Sequence, residues 1–252
     1  MYGLLNFHEK DTQHGIIVST IKKICGIAFF EVSVVHSEYR FLEKRRLKKA
    51  ATMMKKAGVR RALFPDAFSD MAPFEELHIV PVHESYLRAM TGAEIARCVM
   101  EQHHLNPTET CVGISAEHMG AEVRKALMTL ALGVRYTVLD LPSGGEEVCS
   151  VLRREYGVSV LKADREKQLK LPDIILTFGK AKPWGDTKSL WIPCGTFLEW
   201  EGYQNAVPQV QYSVSPEIEE QIPKDCCQNA VLSLLLEAGI VHENELEVSG
   251  IL

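Results

Sequence analysis

The sequence predicts an α/β protein, with a mostly parallel sheet in its C-terminal part and a smaller α/β part before it. Two observations carry that reading. Three junctions share one grammar, an amphipathic helix, a glycine, then a β-branched strand start: Lys56-Ala57-Gly58-Val59, Ala131-Leu132-Gly133-Val134 and Glu155-Tyr156-Gly157-Val158. Glycine just past a helix takes the left-handed conformation that ends it, and valine opens a buried strand. Short helix-to-strand loops repeated in this way imply alternating elements and parallel pairing. Second, Ile174-Ile175-Leu176 is an unbroken apolar run, as expected of a strand covered on both faces. Val112, Ile114, Val138, Leu139, Ile175 and Leu176 are the expected core of that sheet.

In chain order, 2–7 and 29–35 read as strands. Residues 38–57 read as a helix with Leu42, Leu47, Ala50, Ala51 and Met54 on one face. A strand over 59–64 stops at Pro65, a short helix spans 67–76, and a brief strand covers 78–80. Residues 86–103 read as one long helix, after which Leu105-Asn106-Pro107-Thr108 breaks the chain. The expected division is therefore 1–108 and 109–252. Beyond it come strands at 110–114 and 134–139, a helix at 117–132, a helix at 145–156 and strands at 158–161, 173–178 and 190–192. Ser215-Pro216 starts a helix with proline at its first position, and 225–238 form a last helix closed by Gly239. Residues 193–214 have no assignable pattern.

The stretch Ser115-Ala116-Glu117-His118-Met119-Gly120 has the outline of a dinucleotide-binding turn. A Rossmann fingerprint is a strand, G-x-G-x-x-G opening a helix, and an acidic residue about 20 positions on. Asp140 has that spacing from Gly120, but Ser115 and Glu117 stand in the first two glycine slots. The second glycine lets backbone approach a pyrophosphate; a glutamate there adds bulk and negative charge at a helix N-terminus. NAD and NADP are therefore disfavoured as cofactors. The layout resembles two-domain dehydrogenases such as shikimate dehydrogenase, through architecture and this one degraded motif. The resemblance implies Gly120 as a surviving fingerprint glycine and Asp140 as the ribose contact. The family's catalytic lysine–aspartate pair has no matching motif.

Two further loops join the candidate ligand site. Pro142-Ser143-Gly144-Gly145 precedes a helix and offers a backbone anion nest, although Ser143 also suits a plain N-cap. Gly179-Lys180-Ala181-Lys182-Pro183-Trp184 follows a strand, with lysines to neutralise an anion and an aromatic to stack on a ring. The candidate set is Ser115, Glu117, His118, Gly120, Asp140, Ser143, Gly144, Gly179, Lys180 and Lys182, with an anionic small molecule as the ligand considered and no metal site. Each of these residues also has a plain structural role as a turn, cap or solvated charge.

Composition narrows the class. At 252 residues, 46% apolar and net charge −5, the chain is an ordinary globular protein and a poor general nucleic-acid binder. Its seven cysteines are odd in number and form no C-x-x-C, which predicts free thiols and a reduced, cytoplasmic protein. Cys226-Cys227 stand at a helix start, where one buried thiol and one half-exposed one are expected. The most apolar run, 24–35, is too short to span a membrane. Ten of the 28 basic residues fall within 40–61, as a docking face or as the polar side of an amphipathic helix. A homo-oligomer is compatible with all of this. The leading functional reading is a non-catalytic or small-ligand-sensing module. An oxidoreductase holding a nucleotide in a non-standard pose and a protein-interaction scaffold are its rivals.

Overall fold

The computed structural model describes residues 1–8, 17–66, 68–163, 171–179, 184, 188–195, 205–207 and 209–251. The chain divides into two compact units, Met1–His83 with Ser215–Ile240, and Glu84–Val214 with Val241–Leu252. The division falls at residue 83 instead of near 108, and a C-terminal segment returns to the first unit. The Asn106-Pro107 break marks the end of a helix. It does not separate cores, because the helices before it pack on a helix of the second unit.

In the first unit, β1 (Tyr2–His8), β2 (Ile17–Ile24), β3 (Ile27–Val35), β4 (Arg61–Leu63) and β5 (Val80–Pro81) form one sheet in the order β2-β3-β1-β4-β5. β3, β1, β4 and β5 are mutually parallel, while β2 is an antiparallel edge paired to β3. β2 has no counterpart among the sequence-predicted strands. Its residues 19–23 are exposed, so no apolar alternation marks it. Its turn to β3 is Cys25-Gly26, with φ 46° and 84°, the two left-handed residues that a tight hairpin needs.

Helix α1 (Arg40–Lys56) buries Leu47, Ala50, Ala51 and Met54 against Leu5, Val32 and Val34. Leu42 was expected on that face but is exposed. Five residues from Leu47, it lies about 140° around the helix. Helix α2 is short (Ala72–Glu75). After helix α7 (Pro216–Glu219), α8 (Gln228–Glu237) is tied to β4 at its C-terminal end, and the residues before α8 to those just past β4. Arg61 Nη1 meets the Glu237 carboxylate at 2.7 and 2.8 Å, and the Asp66 N–H donates to the Asp225 carbonyl at 3.2 Å.

The second unit holds the predicted parallel sheet. Its strands β6 (Cys111–Ala116), β7 (Tyr136–Asp140), β8 (Leu161–Lys162), β9 (Ile174–Phe178) and β10 (Leu190–Pro193) lie in the order β10-β9-β6-β7-β8, every pair parallel. Counted along the unit, that order is 3-2-1-4-5, the Rossmann arrangement. All six residues expected in its core are buried. Helices α5 (Ala121–Gly133) and α6 (Glu146–Tyr156) connect the first three strands. Gly157 ends α6 at φ 68° as expected, but Gly133 stays within α5 and Val134 is the cap. β8 begins at Leu161, not 158.

The expected long helix over 86–103 is two helices, α3 (Ser85–Met90) and α4 (Gly92–Gln102). The break is at Thr91, whose hydroxyl bonds back to the Leu87 carbonyl at 2.8 Å and to the Tyr212 hydroxyl at 2.9 Å. Part of the unassigned 193–214 segment is strand β11 (Val210–Ser213), antiparallel to β12 (Glu247–Ile251). Among the described residues no helix is long and apolar enough to cross a membrane.

Candidate ligand site at the strand ends of the second unit

In an open α/β sheet, ligands collect beyond the C-terminal strand ends, where neighbouring connections diverge. Here β6 leads on to β7 on one side and β9 to β10 on the other, so the divergence lies between β6 and β9. Ser115, Asp140 and Thr177 stand in register across β6, β7 and β9 at that edge. Ser115 is buried and its hydroxyl donates to Asp140 Oδ2 at 3.0 Å. The buried Thr177 hydroxyl has no partner among the described residues.

The strand runs through Ala116, so Ser115 belongs to the sheet and not to the turn. Helix α5 starts at Ala121 rather than Glu117, because 117–120 form a separate turn closed by the Gly120 N–H on the His118 carbonyl at 3.1 Å. Glu117 and His118 are exposed on it. Glu117 does not serve the helix N-terminus. That place is taken by Glu122, whose carboxylate lies 2.5–2.8 Å from where a Cβ on Gly120 would fall. Glu117 leans instead over the next loop: a Cβ on Gly179 would lie 3.5 Å from its Oε2. Gly179 has φ 66°, and Gly195 approaches it so closely that a Cβ there would meet the Gly179 carbonyl oxygen at 2.7 Å.

The second helix N-terminus on this edge is similarly occupied. Gly145, not Ser143, is the N-cap of α6, and no side chain caps it; Ser143 is exposed. The Gly144 N–H, which an anion nest would need, donates to Glu146 Oε2 at 3.2 Å. A cavity of about 160 Å³ lies beneath this turn, lined by Leu139, Leu141, Cys149 and Leu161 among others. It is smaller than the roughly 300–1,000 Å³ of small-molecule sites. Burial, with Glu146 nearby, raises the Cys149 thiol above its ordinary value.

Lys180 and Lys182 lie outside the described residues. Trp184 is buried with Cys111 and Val138 and cannot offer a face to a ligand ring. The edge thus unites Ser115, Glu117, Asp140 and Gly179, with Gly144 beside the α6 turn. The sequence already places Glu146 and Glu147 in the first turn of α6, where they oppose a phosphate. Glu122 and Gly195 were not singled out from it, although a carboxylate in a helix's first turn is a readable signal. Among the described residues no three His, Cys, Asp or Glu stand together as a metal set.

No family model matches the sequence, and no curated protein does. Solved structures similar to the chain include the apo D-lactate dehydrogenase of Escherichia coli, at 14% identity and TM-score 0.30, covering 59% of this chain and 57% of that one. The ornithine transcarbamoylase of Giardia lamblia aligns over 96% of this chain and 86% of its own, at 10% identity and TM-score 0.34. A shikimate 5-dehydrogenase-like protein aligns over 70% and 65%, at 11% identity and TM-score 0.24. The chain therefore spans little more than half the length of the D-lactate dehydrogenase chain, and the likeness is one of α/β fold alone.

Proposed function

We propose that the chain is a non-catalytic, small-ligand-binding protein whose Rossmann-like unit takes neither NAD nor NADP. One observation carries this reading: the chain's own carboxylates occupy the places a pyrophosphate would need. Glu122 covers the start of α5, Glu146 takes the Gly144 N–H, and Glu117 overhangs Gly179. Helix N-termini attract phosphate because their N–H groups lack partners. Here each of the two helix starts already carries an acidic side chain in its first turn, and negative charge there opposes a phosphate. The same acidic edge disfavours an anionic ligand unless Lys180 and Lys182 offset it.

The test is calorimetric titration of the full chain with NAD and NADP, alongside the variant Glu117→Gly/Glu122→Gln/Glu146→Gln. The wild type should bind neither nucleotide measurably, and the variant should bind better than the wild type. Micromolar affinity of the wild type for either one overturns the reading.

A further inference from the structure

The first unit has a cavity of its own, about 660 Å³, at the C-terminal ends of its parallel strands. That volume is well within the range of small-molecule sites. It opens between Phe7 at the end of β1 and Pro65 just past β4. These two strands lead on to opposite sides of the sheet, so their C-terminal ends are where an open α/β sheet gathers a ligand.

The walls divide by chemistry. Phe7, Phe68 and Leu47 are apolar, and Phe7 and Phe68 stand with ring centroids 6.0 Å apart. Four charged or titratable groups line the rest. His36 and Glu43 satisfy each other at 3.0 Å. Arg40 and Asp70 have no hydrogen-bond or ion-pair partner among the described residues. Arg40 also opens α1, a 17-residue helix whose N-cap Tyr39 makes no side-chain cap, so the helix dipole adds to the positive side.

We propose that this cavity binds an α-amino acid with an apolar side chain, its carboxylate on Arg40, its ammonium on Asp70, and its side chain against the apolar wall of Phe7, Phe68 and Leu47. The charges select for a zwitterion. A purely anionic ligand would leave Asp70 uncompensated, and a purely cationic one would face Arg40 and the start of α1. Apolar walls with two separated, opposite, unsatisfied charges match a molecule carrying the same three features. This site lies within the first unit, and it names a ligand class that the reading of the second unit's edge does not.

The experiment is calorimetry on the full chain with L-phenylalanine and L-leucine, each compared with 3-phenylpropanoate, which lacks the ammonium, and phenethylamine, which lacks the carboxylate. At least one amino acid should bind, with both single-charge analogues about tenfold weaker or worse. Arg40→Gln and Asp70→Asn should each weaken the amino acid to a similar degree while leaving the melting temperature unchanged. Failure of both amino acids to bind overturns the proposal. So does an analogue that binds as well, or affinity undiminished in either variant. Uptake of NAD by the same preparation would count against the second-unit reading and leave this one standing.

Discussion

Arg88 donates its Nε–H to the main-chain oxygen of Pro193 at 2.8 Å, holding a completely buried guanidinium against the end of β10. Its Nη2 reaches the Val207 carbonyl at 2.8 Å, and its Nη1 meets Glu84 Oε1 at 3.1 Å. One side chain therefore pins both the last residue of β10 and a point beyond it to helix α3. Truncating it leaves two buried carbonyls and a half-buried carboxylate without their donor. Arg88→Ala should cost ~3–5 kcal/mol, the usual penalty for breaking a buried charge network. Arg88→Lys should recover only part, because an ammonium cannot reproduce the planar fork. Urea denaturation decides it: a loss under ~0.5 kcal/mol, as for an ordinary surface substitution, would contradict the clamp.

Val138 is buried in the second strand of the Rossmann-like sheet, among Cys111 and Trp184. Val138→Asp should cost several kcal/mol by burying an unpaired charge, roughly the scale of a whole domain's margin. Circular dichroism melts would show it, and a wild-type melting temperature would contradict the buried position.

What the sequence revealed follows from which interactions are local. β6, β7 and β9 were legible because both faces of the sheet are covered, so their residues are almost uniformly apolar. β2 was not, since an exposed edge strand can carry Ser19, Thr20, Lys22 and Lys23 without any packing cost. The α5 start was misplaced because Glu117-His118-Met119 is compatible with helix, and only the turn on the His118 carbonyl excludes it. The break at Thr91 depends on a hydroxyl partner 121 residues away in sequence, Tyr212. The return of 215–240 to the first unit likewise rests on Arg61–Glu237 and Asp66–Asp225, which no window of neighbouring residues contains. At the candidate site, the strand reading put Ser115 and Asp140 just past the ends of neighbouring strands, and their pairing in register emerges only from the structure. The acidic first turn at Glu146 was legible, whereas its bond to the Gly144 N–H and the placing of Glu122 beside Gly120 are matters of side-chain direction.

The seven cysteines should react in an order set by burial. Cys227 is exposed, Cys25, Cys98 and Cys149 are half-buried, and Cys111, Cys194 and Cys226 are buried. Iodoacetamide under native conditions should modify Cys227 first and the last three only after unfolding, as read by peptide mass spectrometry. Equal rates at adjacent Cys226 and Cys227 would contradict the assigned burial at the start of α8.

Stability should fall in alkali, and the sign follows from these thiols. Burial pushes Cys194 up from 9.0 to about 12. Burial also lifts Cys226 to about 12, helped by the Asp66 and Asp225 carboxylates. Burial raises Tyr212 as well, against the opposing effect of its bond to Thr91. Each group is neutral when protonated, so the folded state keeps a proton that the unfolded chain has already released. Where the folded state binds more protons, stability declines as pH rises. It should be flat up to about pH 8, where unfolded thiols begin to ionise, and fall from there toward pH 12 as the folded thiols approach their own titration. Urea midpoints at roughly pH 8, 9, 10 and 11 measure the slope. Cys226→Ser keeps the volume and removes one titrating thiol, so its decline should be shallower than the wild type's. Parallel declines would mean that Cys226 ionises in the folded chain as readily as in the unfolded one.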